Sequence, residues 1–118
     1  MSSHQYLCVH AHFYQPPRED PFSGVIPDEP GAAPFRNWNE RIFMNCYKPN
    51  ADLGNFSKIS FNLGPTLSGW LKKAHPEVLS QIVAADHANV ERFGVGNAMA
   101  QAYHHVILPL ANRRTKQV

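Results

Sequence analysis

Between Gln15 and Pro34 the chain holds Pro16, Pro17, Pro21, Pro27, Pro30 and Pro34, with Gly24 and Gly31 among them. Each proline fixes one backbone dihedral and removes one hydrogen-bond donor, so neither a helix interior nor a central strand passes through this stretch. The chain must therefore build its core from the segments on either side and carry a long loop between them. A loop of this length inside a compact domain is either functional or disordered.

The segments on either side carry clear periods. Tyr6 to His12 alternates as a strand, with Tyr6, Cys8, His10 and His12 on one face and Leu7, Val9 and Ala11 on the other. After the loop, Trp38, Ile42 and Cys46 recur at helical spacing, which predicts a helix from Trp38 to Tyr47 with Asn37 as N-cap and Pro49 as its stop. Phe56 to Leu63 alternates apolar Ile59, Phe61 and Leu63 with polar Lys58, Ser60 and Asn62, the pattern of a second, half-buried strand. Gly64-Pro65-Thr66 opens a helix with Leu67, Trp70, Leu71 and Ala74 on one side, and His75-Pro76-Glu77 ends it and begins another. That last helix runs to about Phe93, with Gly94 as its C-terminal stop. Its expected inner stripe is Leu79, Ile82, Val83, Val90 and Phe93, and its expected solvent face carries Gln81, Asp86, Asn89 and Arg92.

The order strand, loop, helix, strand, helix, helix is that of an α/β protein with a parallel sheet. A chain of 118 residues suffices for one domain. Two parallel strands neither close a barrel nor make a stable open sheet, and a barrel of alternating strands and helices takes about 200 residues or more. The expectation is that residues 1–118 form the front part of a larger, TIM-barrel-like domain.

Composition narrows the function classes. Apolar residues make up 43% and charged residues 17%, as in a globular chain. The net charge is +2, and the one basic cluster, Arg113, Arg114 and Lys116, reads as a solvated tail, so no nucleic-acid partner is expected. Cys8 and Cys46 have no metal-site spacing and are expected to be buried, reduced thiols. Neither a signal peptide nor an apolar run long enough to span a membrane is visible, which makes the cytoplasm the expected location and excludes a membrane partner. No P-loop, GxGxxG after a strand, GxSxG or HExxH occurs.

The stretch YLCVHAHFYQPPRED concentrates the chemistry. In a parallel barrel the C-terminal ends of strands face the active site, and His10 and His12, two apart, point the same way. Such a pair can ligate a metal, donate to substrate hydroxyls or act as an acid and base. Phe13 and Tyr14 offer flat faces, Gln15 offers both donor and acceptor, and Pro16-Pro17 stiffen the turn, a mixture that suits sugars. His104 and His105 are adjacent and point apart, so at most one faces the same site. The carboxylates lie in the loop, on helices or in a turn, and none follows a strand end as a glycosidic acid and nucleophile pair would.

Two stretches together carry a resemblance. VHAHFYQPPRE (residues 9–19) resembles the first signature region of the glycoside hydrolase family 57 superfamily, and GNAMAQAYHHVILPLANRR (residues 96–114) resembles its second. The Phe13-Tyr14 pair, absent from the shorter His-Gln-Pro of the family's amylases, is similar to a family 57-like subgroup with an HxHFYQP first region. The resemblance implies an incomplete (β/α)7 barrel acting on α-linked glucans by a retaining mechanism, with neither metal nor cofactor. The nucleophilic glutamate and the acid/base aspartate belong to later signature regions, so no catalytic residue is expected in this chain, which alone should be inactive. His10, His12, Gln15 and Tyr14 would line the sugar subsite, joined by Asn97, Gln101 and His105 from the second region. A metal-dependent hydrolase using the HxH pair and a non-catalytic carbohydrate-binding protein are the alternatives. Oligomeric state is left open.

Overall fold

In a computed structural model, which describes residues 3–117, the chain is a small mixed α/β domain built around two parallel strands. β1 spans His10–Phe13 and β2 spans Ser60–Leu63, with His10 opposite Ser60, Ala11 opposite Phe61, His12 opposite Asn62 and Phe13 opposite Leu63. A third rung extends the sheet: Ala98 bridges Phe61 in parallel, the Phe61 N–H donating to the Asn97 carbonyl (3.0 Å) and the Met99 N–H to the Phe61 carbonyl (2.6 Å). Sequence periodicity did not reveal this rung, because one bridged residue has no alternation to display.

The first strand is shorter than its pattern. Ser60 begins β2, and its N–H to the Val9 carbonyl is the last bond toward the N-terminus, so residues before Val9 lack a strand to pair with. Tyr6 and Leu7 are 90% and 91% exposed, and Cys8 is exposed rather than buried; Cys46 is half-buried.

After the proline-rich loop, which contains a 3₁₀ turn at Pro30–Ala32, the chain is helical from Trp38 to Asp52. α1 (Trp38–Ile42) is capped as expected, the Asn37 side chain accepting from the Glu40 N–H at 3.0 Å. Pro49 does not stop it. Phe43–Tyr47 takes π-helical geometry, with the Lys48 N–H reaching back to the Phe43 carbonyl, and α2 (Lys48–Asp52) follows without a break. The wider turn accommodates a proline ring that would strike a carbonyl in regular α geometry. The buried stripe of this helical run is Asn39, Phe43 and Tyr47, one residue out of phase with the expected Trp38, Ile42 and Cys46, which are only partly buried.

α3 (Pro65–Ala74) buries Leu67, Trp70 and Leu71, while Ala74 is exposed. α4 (Pro76–Phe93) follows at once and ends on Gly94, whose φ of +78° suits glycine and whose N–H bonds the Val90 carbonyl. Its inner face is the expected one only in part, Ile82 being buried and Leu79 packing against the core. Val78, Ile82 and Asn89 are buried, and Val83, Val90 and Phe93 are exposed. Asn89 turns inward to donate to the Ser57 carbonyl (3.0 Å), and the Asp86 carboxylate accepts from the N–H groups of Asn97 and Ala98, both at 2.8 Å. The core joins Phe13, Phe43, Tyr47, Phe56, Phe61, Leu67, Trp70, Leu71, Val78 and Ile82. Among the described residues no helix is long and apolar enough to cross a membrane.

Candidate functional site

The pleat of β1 sends Phe13 into the core and leaves His10 and His12 together on the opposite, exposed face. Both histidines meet their register partners on β2 through side chains. His10 Nδ1 lies 3.0 Å from Ser60 Oγ, and His12 Nδ1 lies 2.5 Å from Asn62 Oδ1. Sequence reasoning did not single out Ser60 or Asn62 for the site. The signal was available, since both alternate with the apolar face of β2 and so share the side of the sheet on which the histidines stand.

At the C-terminal ends of the strands the chain brings its two motifs together. The Tyr14 ring stacks on the His105 ring, with centroids 3.7 Å apart and planes 11° apart. His105 Nε2 lies 3.1 Å from His12 Nε2, a contact between residues 93 positions apart. The His12 and His105 rings are 18° from parallel with centroids 5.2 Å apart, which with the short nitrogen contact sets them head to head, edge against edge. Gly64, directly after β2, leaves room for the Tyr14 ring. Its N–H bonds the Phe13 carbonyl (2.9 Å), and a Cβ there would stand 3.1 Å from Tyr14 Cδ2.

Beside this stack opens a cleft of about 400 Å³, bounded by Tyr14, Gly64, Thr66, Gln101, His104 and His105 among others. A smaller neighbouring hollow is lined by His12, Asn62 and the same 101–107 segment. Neither lining contains a carboxylate or a Lys or Arg side chain. His104 stands edge-on to Tyr103 with centroids 5.1 Å apart and borders both hollows, so both adjacent histidines, and not one at most, line the site.

Two of the residues proposed from sequence serve the framework. Gln15 is 4% exposed, donates to the Tyr47 hydroxyl (2.6 Å) and accepts from Arg18 Nη2 (3.3 Å). Its carbonyl also accepts the Thr66 hydroxyl, tying the loop to the start of α3. Burial raises the Tyr47 hydroxyl above the ordinary phenol range, so it remains a protonated partner. Arg18 in turn bonds Asn39 (3.0 Å) and Glu29 (3.2 Å), so the proline-rich loop is closed on itself. Asn97 donates through Nδ2 to the Phe56 and Ile59 carbonyls and holds the approach to β2. The structure therefore gathers His12, Tyr14, Gln101 and His105 around the clefts, keeps His10 beside them on the sheet, and turns Gln15 and Asn97 inward.

Two anchors were not legible in the sequence. His75, at the junction of α3 and α4, stacks on Phe43 (centroids 3.6 Å apart) and bonds Glu40 at 3.1 Å. Asp86 holds the 97–98 backbone, and the absence of a side chain at Gly96 is what admits its carboxylate, because a Cβ there would fall 2.4 Å from Asp86 Oδ1. No family model, curated protein sequence or solved structure matches the chain.

Proposed function

We propose that this chain forms one wall of a carbohydrate site in a glycoside hydrolase family 57-like enzyme of the cytoplasm, a retaining hydrolase or glucanotransferase acting on α-glucans. In this reading residues 1–118 are the N-terminal part of an incomplete (β/α)7 barrel, and the carboxylates that form and break the glycosyl bond are supplied by residues outside them. The observation that carries the proposal is the contact of Tyr14 and His12 with His105, which unites the two motifs behind the resemblance at the C-terminal ends of parallel strands.

The chemistry fits a sugar. An aromatic face packs against the C–H face of a pyranose, while imidazole nitrogens and the Gln101 carboxamide meet its hydroxyls. Calorimetric titration of the protein with a maltooligosaccharide should show saturable binding without turnover, and Tyr14→Ala should weaken it about tenfold, the equivalent of roughly 1.4 kcal/mol. A wild-type protein that binds no oligosaccharide, or a Tyr14→Ala variant that binds equally well, would sink the proposal.

A metal-dependent hydrolase is the second reading. It draws on the Asn62 and Ser60 oxygens behind His12 and His10, an arrangement common behind metal-bound histidines. Against it, no group of three His, Cys, Asp or Glu side chains among the described residues is placed to hold a metal ion. Stoichiometric zinc in the purified protein would favour this second reading.

A further inference from the structure

The two histidine rungs share one design. Ser60 Oγ lies 3.0 Å from His10 Nδ1 and 3.4 Å from the Val9 carbonyl; the arrangement in which its hydroxyl donates to that carbonyl has the same oxygen accept from His10 and puts the His10 proton on Nδ1. Asn62 Oδ1 is an acceptor only, so His12 also carries its proton on Nδ1. In each neutral ring Nε2 is then a bare lone pair. The lone pair of His12 faces His105 Nε2 head to head, which requires His105 to hold its proton on Nε2 and leaves its Nδ1 bare. Neither His10 Nε2 nor His105 Nδ1 has a hydrogen-bond partner among the described residues.

The geometry points to Ser60 and Asn62 as positioning residues that fix the tautomers of His10, His12 and His105, so that His105, which borders both hollows, meets a ligand there with a bare imidazole nitrogen and takes neutral hydroxyl donors in preference to anionic sugars. The ligand half of this inference rests on the carbohydrate reading above. The reason is electrostatic. A bare ring nitrogen attracts an O–H and repels a phosphate or carboxylate oxygen, and no Lys or Arg lines either hollow to offset that repulsion. Phosphorylated and uronic-acid sugars are therefore disfavoured relative to unmodified glucans.

The test is long-range ¹H–¹⁵N correlation on the histidine-labelled protein at about pH 8, where ordinary imidazoles are neutral. The expected pattern is Nδ1–H for His10 and His12 and Nε2–H for His105. Asn62→Leu should move His12 to Nε2–H, and Asn62→Asp, which keeps an acceptor oxygen, should restore Nδ1–H. A merely structural role for Asn62 would change stability without moving the proton. Nδ1–H persisting in Asn62→Leu, or a wild-type spectrum with the reverse order, would overturn the positioning role, and the wild-type spectrum decides even if the variant fails to fold.

Titration with a maltooligosaccharide and with a phosphorylated counterpart separates the two claims. Binding of the neutral sugar at least about tenfold tighter supports the specificity, and equal or tighter binding of the phosphorylated sugar overturns it. Neutral binding alongside reversed tautomers overturns the positioning role and leaves the carbohydrate reading standing. The expected tautomers with no sugar bound overturn the carbohydrate reading and the specificity with it, and leave the positioning role standing.

Discussion

Tyr14 and Gln15 are neighbours in sequence and divide the work of the loop, one facing the cleft and the other the core. The alternation of β1 was legible in the sequence and put His10 and His12 on one side; Phe13, expected beside Tyr14 as a flat face for a sugar, instead continues the alternation into the core. Past Phe13 the strand ends and alternation no longer applies, so the direction of Gln15 depends on Tyr47, a residue 32 positions away. Gln15→Leu should accordingly lower stability by about 1–3 kcal/mol, because it removes the short bond that the Tyr47 hydroxyl accepts, leaving that group only its 3.4 Å bond to the Tyr14 carbonyl, and takes an acceptor from Arg18. Adding Tyr47→Phe should recover much of the loss, and urea midpoints of the single and double variants check both outcomes. Gly64→Ala makes a different prediction. Its new Cβ crowds the Tyr14 ring by a few tenths of an ångström, so it should weaken oligosaccharide binding while shifting the urea midpoint little.

At the scale of elements, helix and strand existence followed from periodicity, as did the buried side of α3, but the phase of the first helical run and the stripe of α4 beyond Ile82 did not. In the first helical run both Trp38/Ile42/Cys46 and Asn39/Phe43/Tyr47 repeat at helical spacing, and the second set wins because Phe43 and Tyr47 reach the Phe13 and Trp70 side of the core. On α4 the polar Asn89 and Asp86 turn inward because backbone groups of Ser57, Asn97 and Ala98 need them. A hydrophobicity pattern reads such residues as solvent-facing, since it carries no record of what they bond. The Asp86 contact also predicts how the third rung can be loosened. Gly96→Ala forces the carboxylate away and should cost that segment about 2 kcal/mol. Amide exchange at Met99 and Phe61 should speed up, with the α3 and α4 amides unchanged; uniform acceleration throughout the chain would instead mean that the substitution acts globally.

At the scale of the whole molecule, the radius of gyration is 16.9 Å, against roughly 13.5 Å for a compact domain of this length. The excess goes with apolar side chains left in solvent: Leu7 and Phe22 near one end of the sequence, Val83 and Phe93 on the outer face of α4, and Leu110 beyond the cleft. The sheet is open at both edges among the described residues, along β1 and along the Ala98 rung. These surfaces predict that the isolated 13.3 kDa chain self-associates as concentration rises, which sedimentation would show. A monodisperse monomer that unfolds cooperatively would mean that the domain is self-sufficient.

The central claim is that Tyr14, His12 and His105 together form a sugar-binding wall, and ring resonances test it most directly. On addition of a maltooligosaccharide, the aromatic signals of these three residues should shift along one saturation curve, while those of the core residues Phe56 and Phe61 stay in place. Unmoved signals from Tyr14 and His105 at saturating sugar, or shifts spread evenly over the core, would contradict it.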